Sequence, residues 1–249
     1  MAVALAAAAC SSSSTPRHPV TEHVAGNRFT VLYSVKALQE ADSVGVNLPR
    51  LVTRALGHIN ALLPGPPVSV NVYYVTGPDL ITQQGTGGDS DVAVHSAEVF
   101  FGPTSQVSLR TGLTYLPRAL SHEVDHSVRG AALPGGYRDS LFQQMISEGI
   151  SSVFDEAAFP GSPNPMDRAI SPGQECVLWR KAQPLLSDAQ LYYQWVLGGG
   201  SVPHWTGFTI GYDIVKDYLR RHPHTSWVTL TSTRSETILA GSHYRPCAP

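Results

Sequence analysis

The segment Leu120-Ser121-His122-Glu123-Val124-Asp125-His126 lies inside a stretch with a helical apolar period, and it constrains the fold more than any other feature. Leu113, Leu116, Leu120, Val124 and Val128 mark one face of a helix expected over residues 111–129 and stopped by Gly130. Residues four apart stand one turn above each other on a helix, so His122 and His126 project from the same side. Two imidazoles in that relation can share one zinc ion, with Glu123 beside them to accept a proton from a water molecule at the ion. Such a helix must bury its apolar face while its histidine face opens onto a cavity. Asp125 is expected to face solvent or to pair with Arg129, four residues on.

A catalytic zinc site needs a third protein ligand and one open position. A histidine ten residues after His122 would complete one known arrangement, but that position is Ala132. Two acidic residues compete instead. Asp139 lies 13 residues beyond His126, and Glu148 lies 22 beyond it, in the middle of a second helix expected over residues 139–158. The neighbours of Glu148 (Phe142, Met145, Ile146, Ile150 and Val153) are largely apolar. A carboxylate on such a face is costly unless it has a partner, and a metal ion supplies one, so Glu148 is preferred over Asp139.

The rest of the chain sorts strands before helices. Residues 27–35 and 68–75 read as strands, and 48–63 as a helix ended by the prolines at 64–67. Residues 85–91 read as a loop, and 92–101 as one strand or a bent pair, a candidate edge strand for an extended peptide. Residues 160–172 read as loop. Later helices are expected after Ser187, with Ser187 and Gln190 as a capping box, then over 207–221 and 235–240. This order argues for an α+β fold. The expected organisation is a single domain over residues 21–249, sheet-rich in 21–110 and helical in 111–249, with the site between the two parts.

Lys and Arg total 17 against 19 Asp and Glu, so the net charge of −2 supplies no footprint for nucleic acid. Residues 1–9 form a short apolar run before Cys10, followed by Ser11 to Ser14, as at the end of a bacterial lipoprotein signal whose start lies upstream. On this reading 1–9 is a signal remnant, Cys10 carries a lipid anchor, and 10–20 is a flexible tether, so the membrane is met only through the lipid. Cys176 and Cys247 remain as an even pair, expected to form a disulfide in an exported protein. The expected address is the cell surface or another extracytoplasmic site.

The HExxH sequence followed about twenty residues later by a helix bearing Glu148-Gly149 resembles the gluzincin pattern. Residues 120–129, 147–154 and 207–215, together with 238–244, are more closely similar to a bacterial family of predicted zinc-dependent proteases. That resemblance spans roughly residues 110–245. It implies a zincin-like fold, one zinc ion per chain held by His122, His126 and Glu148, Glu123 as the general base, and a peptide or protein substrate. The family's late tyrosine pair is reduced here, because the first position is Phe208, which leaves Tyr212 as the candidate hydrogen-bond donor to an oxyanion. His204, His222, His224 and His243 are further candidates to line the site. Gluzincins carry an aspartate four residues after the ligand glutamate; that position is Ser152, so Ser152 or Asp155 is expected to orient a histidine. The chain is expected to act as a monomeric zinc metallopeptidase. The rivals are a noncatalytic zinc-binding surface lipoprotein and a zinc hydrolase of non-peptide substrates.

Overall fold

The computed structural model describes residues 18–77, 82–134, 137–161 and 164–247. Cys10, the segment 1–9 and most of the expected tether lie outside these residues. Among the described residues, five strands and eight α-helices follow in the order β1 (Val20–Val24), β2 (Phe29–Tyr33), α1 (Val35–Ser43), α2 (Leu48–Leu62), β3 (Val68–Tyr74), β4 (Thr86–Asp91), β5 (Ser96–Phe101), α3 (Leu109–Ala132), α4 (Leu141–Ala158), α5 (Pro172–Ala182), α6 (Thr206–Arg221), α7 (Trp227–Ser232) and α8 (Ser235–Ser242). The protein is α+β, with a mixed sheet preceding a helical region. Among the described residues no helix is long and apolar enough to cross a membrane.

The sheet runs β1-β2-β3-β5-β4, with β2, β3 and β5 parallel and the two outer strands antiparallel to their neighbours. Period-2 alternation sends Phe29, Val31 and Tyr33, then Val68, Val70 and Val72, then Ala97, Val99 and Phe101 to one face, where all are buried. These side chains pack against Ala37 and Leu38 of α1, Val52 and Ile59 of α2, and Leu113, Leu116, Leu120 and Val124 of α3. A second apolar core joins α4, α5, α6 and α8 through Met145, Ile146, Ile150, Trp179, Ile210, Ile214 and Ile238. The apolar face of α3 therefore belongs to the sheet-side core, while α4 contributes mainly to the helical one.

Several expectations fail for identifiable reasons. Residues 85–91 are not a loop: β4 pairs along its length with β5, from Thr86 opposite Phe101 to Asp91 opposite Ser96. Its sequence, Thr-Gly-Gly-Asp-Ser-Asp, has one β-branched residue, so strand conformation comes from the pairing and not from propensity. The 92–101 segment contributes β5, which lies inside the sheet between β3 and β4, so the edge strand is β4. The helix expected after Ser187 breaks into a 3-10 turn over Ala189–Leu191 and a π-helical turn over Tyr193–Gly198. There the Asp188 side chain caps Gln190, and Gly198 ends the turn at φ 97°. α5 was not expected; Ser171 and Gln174 form its capping box.

α4 and α6 approach so closely that side chains are excluded at the crossing. A Cβ on Gly211 would lie 1.9 Å from the Met145 carbonyl oxygen, and one on Gly149 would lie 2.2 Å from the Gly211 carbonyl carbon. Both obstacles are backbone and cannot rotate away. Gly211→Ala is expected to destabilise the protein by about 3 kcal/mol or more, by forcing the helix carrying Glu148 off its seat. A urea titration reads this directly.

Cys176 of α5 and Cys247 form a disulfide with a sequence separation of 71 residues, tying the chain end back to the helical part. In the chain-entropy model such a loop contributes about 4 kcal/mol. Cys247→Ser is expected to lower the denaturation midpoint accordingly, and reductant should do the same to the wild-type chain but not to the variant. A wild-type midpoint indifferent to reductant, with two free thiols besides Cys10, would show the pair unbridged.

Candidate metal centre

Among the described residues, His122, His126 and Glu148 form a buried group whose potential ligand atoms lie within 4.8 Å of one another. The two histidines come from the face of α3 opposite its apolar stripe, and Glu148 comes from the middle of α4. His122 Nε2 lies 3.1 Å and His126 Nε2 lies 3.2 Å from the same atom, Glu148 Oε2. Asp139, the rival third ligand, is exposed and outside the group.

The other nitrogen of each ring fixes what faces the centre. His126 Nδ1 lies 3.1 Å from Ser147 Oγ and 3.2 Å from Ser151 Oγ. Ser151 donates its own proton to Asp125 Oδ2 at 2.8 Å, so its oxygen is free to accept from His126 Nδ1. Asp125 also accepts from Thr231 Oγ1 at 2.6 Å. It is fully buried, neither facing solvent nor hydrogen-bonded to Arg129, whose guanidinium reaches the Thr231 and Thr233 carbonyls and Ser235. Asp155 Oδ2 stands 3.6 Å from His122 Nδ1, and its Oδ1 accepts from Arg118 Nε at 2.8 Å. Both relays favour a proton on Nδ1 and leave a bare Nε2.

Two bare imidazole nitrogens and a carboxylate oxygen then face one another in a buried space. Three acceptors so placed repel unless a proton or a cation lies between them. The protonation tendencies express the same demand. Burial pushes His126 down to about 4, so it stays neutral. Burial also opposes charge on His122, yet the carboxylates of Asp155 and Glu148 outweigh it and pull that imidazole well above its ordinary value. Burial disfavours the Glu148 carboxylate, but the contacts from both imidazole rings hold it well below the carboxylate range. The residues present fit a divalent cation with a preference for nitrogen ligands.

The centre opens on a cleft of about 450 Å³. Its lining includes Glu123, Thr86 to Asp89 of β4, Arg118, Arg138, Tyr192, His204 and Phe208. Burial, reinforced by the Glu148 charge and only partly offset by His122, pushes Glu123 up to about 8. β4 passes directly over it: a Cβ on Gly88 would come within 2.4 Å of the Glu123 side chain. His204 Nδ1 lies 3.0 Å from the Leu197 carbonyl, which fixes its orientation.

Other expected site residues lie elsewhere. Tyr212 does not line the cleft; its hydroxyl donates to Glu156 Oε2 at 2.6 Å. Phe208, one turn earlier on α6, lines the cleft instead and stacks on His122 with ring centroids 6.1 Å apart. Ser152 is buried beside Asp167 and bonds to neither histidine, so Asp155 alone of the expected pair reaches the centre. His222, His224 and His243 are absent from the cleft lining. Ser147, Ser151, Arg138 and Tyr192 were missed. The two serines had a readable signal, since they flank Glu148 at one residue before and three after, on the same helix face.

Fold and site together define an α+β protein with a His-His-Glu group that could hold a metal ion at the floor of a cleft. The chain belongs to the family described as Predicted Zn-dependent protease (DUF2268), whose model matches residues 48–240. No curated protein and no solved structure matches it.

Outer partners of this kind typically alter metal affinity by about 10–100-fold. Asp155→Asn and Ser151→Ala are each expected to weaken zinc binding by about that factor, measured by competition with a chelator of known affinity. Ser152→Ala should leave the affinity unchanged.

Proposed function

We propose that the protein is a zinc metallopeptidase of the gluzincin arrangement, with His122, His126 and Glu148 holding the ion and Glu123 acting as general base. One observation carries this reading: the three ligand candidates converge at the floor of the cleft that Glu123 also lines. The family's description supports the coarser statement of a zinc-dependent protease. A bound zinc ion supplies Lewis acidity toward a carbonyl group and a water molecule.

The chain's own residues supply the rest. Glu123 takes the proton of the attacking water and returns it to the leaving amine; its burial makes it a stronger base than an exposed carboxylate. His204 is the cleft's candidate donor to the oxyanion, a role that passes from Tyr212 because of its placement. The free edge of β4 offers backbone donors and acceptors to an extended peptide, and Gly88 allows that peptide to lie close to Glu123. The same reading places the protein outside the cytoplasm as a monomer tethered by lipid at Cys10. The lipoprotein-like sequence before the tether and the Cys176–Cys247 pair support that address.

The test is zinc content together with hydrolysis of a mixed peptide library. Wild type and Glu123→Gln should each hold one zinc, and Glu123→Gln should lose about 10²–10⁴-fold in rate. Glu148→Ala should lose the zinc. Stoichiometric zinc in Glu148→Ala would overturn the ligand assignment, and a wild type that binds zinc but cleaves no peptide would overturn the peptidase.

A further inference from the structure

The cleft holds two arginines in unlike circumstances. Arg118 is buried and bound to Asp155, so its charge is matched. Arg138 lies on the turn before α4, and its guanidinium makes no hydrogen bond among the described residues. Its nearest anion is Glu148 Oε1 at 3.8 Å, beyond hydrogen-bonding range, and its side chain is 31% exposed. Two aromatic rings hold it: the guanidinium carbon lies 4.9 Å from the centroid of Tyr137 and 6.0 Å from that of Tyr192. Tyr192 is itself anchored, donating to Glu148 Oε1 at 3.3 Å. A rigid guanidinium fork beside the reacting centre, with its terminal donors unused, is built to meet a planar anion in two-point contact.

The charge balance points the same way, on the reading that the centre holds a divalent ion. Glu148 and Glu123 offset such an ion, and Arg118 offsets Asp155, which leaves Arg138 as the unmatched charge. Asp89, the remaining carboxylate of the cleft, is exposed at its rim, where solvent screens it. Once the ion draws on Glu148, the weak hold of that carboxylate on Arg138 is further reduced.

We propose that Arg138 is a specificity-determining residue that binds a substrate carboxylate next to the scissile bond. The carboxylate is either the free C-terminus of a peptide or an acidic side chain. The inference rests on the peptidase reading for the word substrate, but the anchor itself is a binding site and is tested as one.

The experiment is calorimetric titration of the full chain bearing Glu123→Gln, with added zinc and after chelator treatment. Three probes are used: an N-acetylated dipeptide with a free C-terminal carboxylate, the same dipeptide amidated, and an amidated dipeptide containing aspartate. At least one carboxylate probe should bind about tenfold or more tightly than the neutral one, as expected for a hydrogen-bonded charge pair. The advantage should vanish in Arg138→Gln and survive only in part in Arg138→Lys, which keeps the charge but loses the fork. Which probe wins identifies the source of the carboxylate.

Equal affinity for all three probes, no binding of any, or an advantage that persists in Arg138→Gln would overturn the proposal. Thermal midpoints of the variants separate loss of the anchor from loss of the fold. A carboxylate preference that depends on Arg138, in a wild type that cleaves no peptide, would keep the anchor and remove the peptidase.

Discussion

The arrangement depends on three buried acceptors, His122 Nε2, His126 Nε2 and Glu148 Oε2, being held face to face across α3 and α4. Left alone they repel, so the surrounding structure must hold them there. The constraint is met by backbone contact and not by adjustable side chains. Gly149, directly after Glu148, lets α6 pack onto α4 with no intervening Cβ. On the other side, the apolar stripe of α3 is locked into the sheet-side core through Leu116, Leu120 and Val124. Each half of the centre thus belongs to a different core, and a metal ion that binds all three residues joins the two. Any such ion stabilises the fold by mass action in proportion to its affinity, since the unfolded chain does not present the group.

Charge is rationed to the same place. Charged residues make up 14% of the chain, yet Arg118, Glu123, Asp125, Arg129, Glu148 and Asp155 are all buried on α3 and α4. Their pairing follows a pattern. Arg118 holds Asp155 behind His122; Ser151 and Thr231 hold Asp125 behind His126; Arg129 satisfies carbonyls at the α7–α8 junction. The α7–α8 region is therefore joined to the centre through polar contacts. A buried carboxylate that keeps its charge needs donors from several directions, and three separate elements provide them here.

How much was legible in the sequence depended on whether a residue's role was set locally. The α3 period and the four-residue spacing of His122 and His126 are properties of one helix, and the structure shows both. Glu148 was legible because an acid on an apolar face has no cheap explanation other than a partner. β4 was not, since a Gly-Gly-Asp-Ser segment becomes a strand only by pairing with β5, a non-local event. Tyr212 failed differently: its place in α6 was right and it stands on the same side of that helix as Phe208, but one turn further along, where it reaches Glu156 while Phe208 reaches the cleft. Which turn of a helix meets a site depends on how the helix is positioned along its axis, and one sequence alone does not state it.

β4 also shows why a poor strand sequence is useful at this position. A bulky β-branched residue at 88 would improve local propensity, but any Cβ there meets Glu123. An edge strand free of side chains over the floor of the cleft leaves two things available: the Glu123 carboxylate and an unpaired backbone edge. Strand propensity and access to the centre pull in opposite directions at Gly88, and access has won. The strand is held by its pairing with β5, whose Ala97, Val99 and Phe101 are fully buried in the sheet-side core. The weak strand signal and the candidate function have the same physical cause.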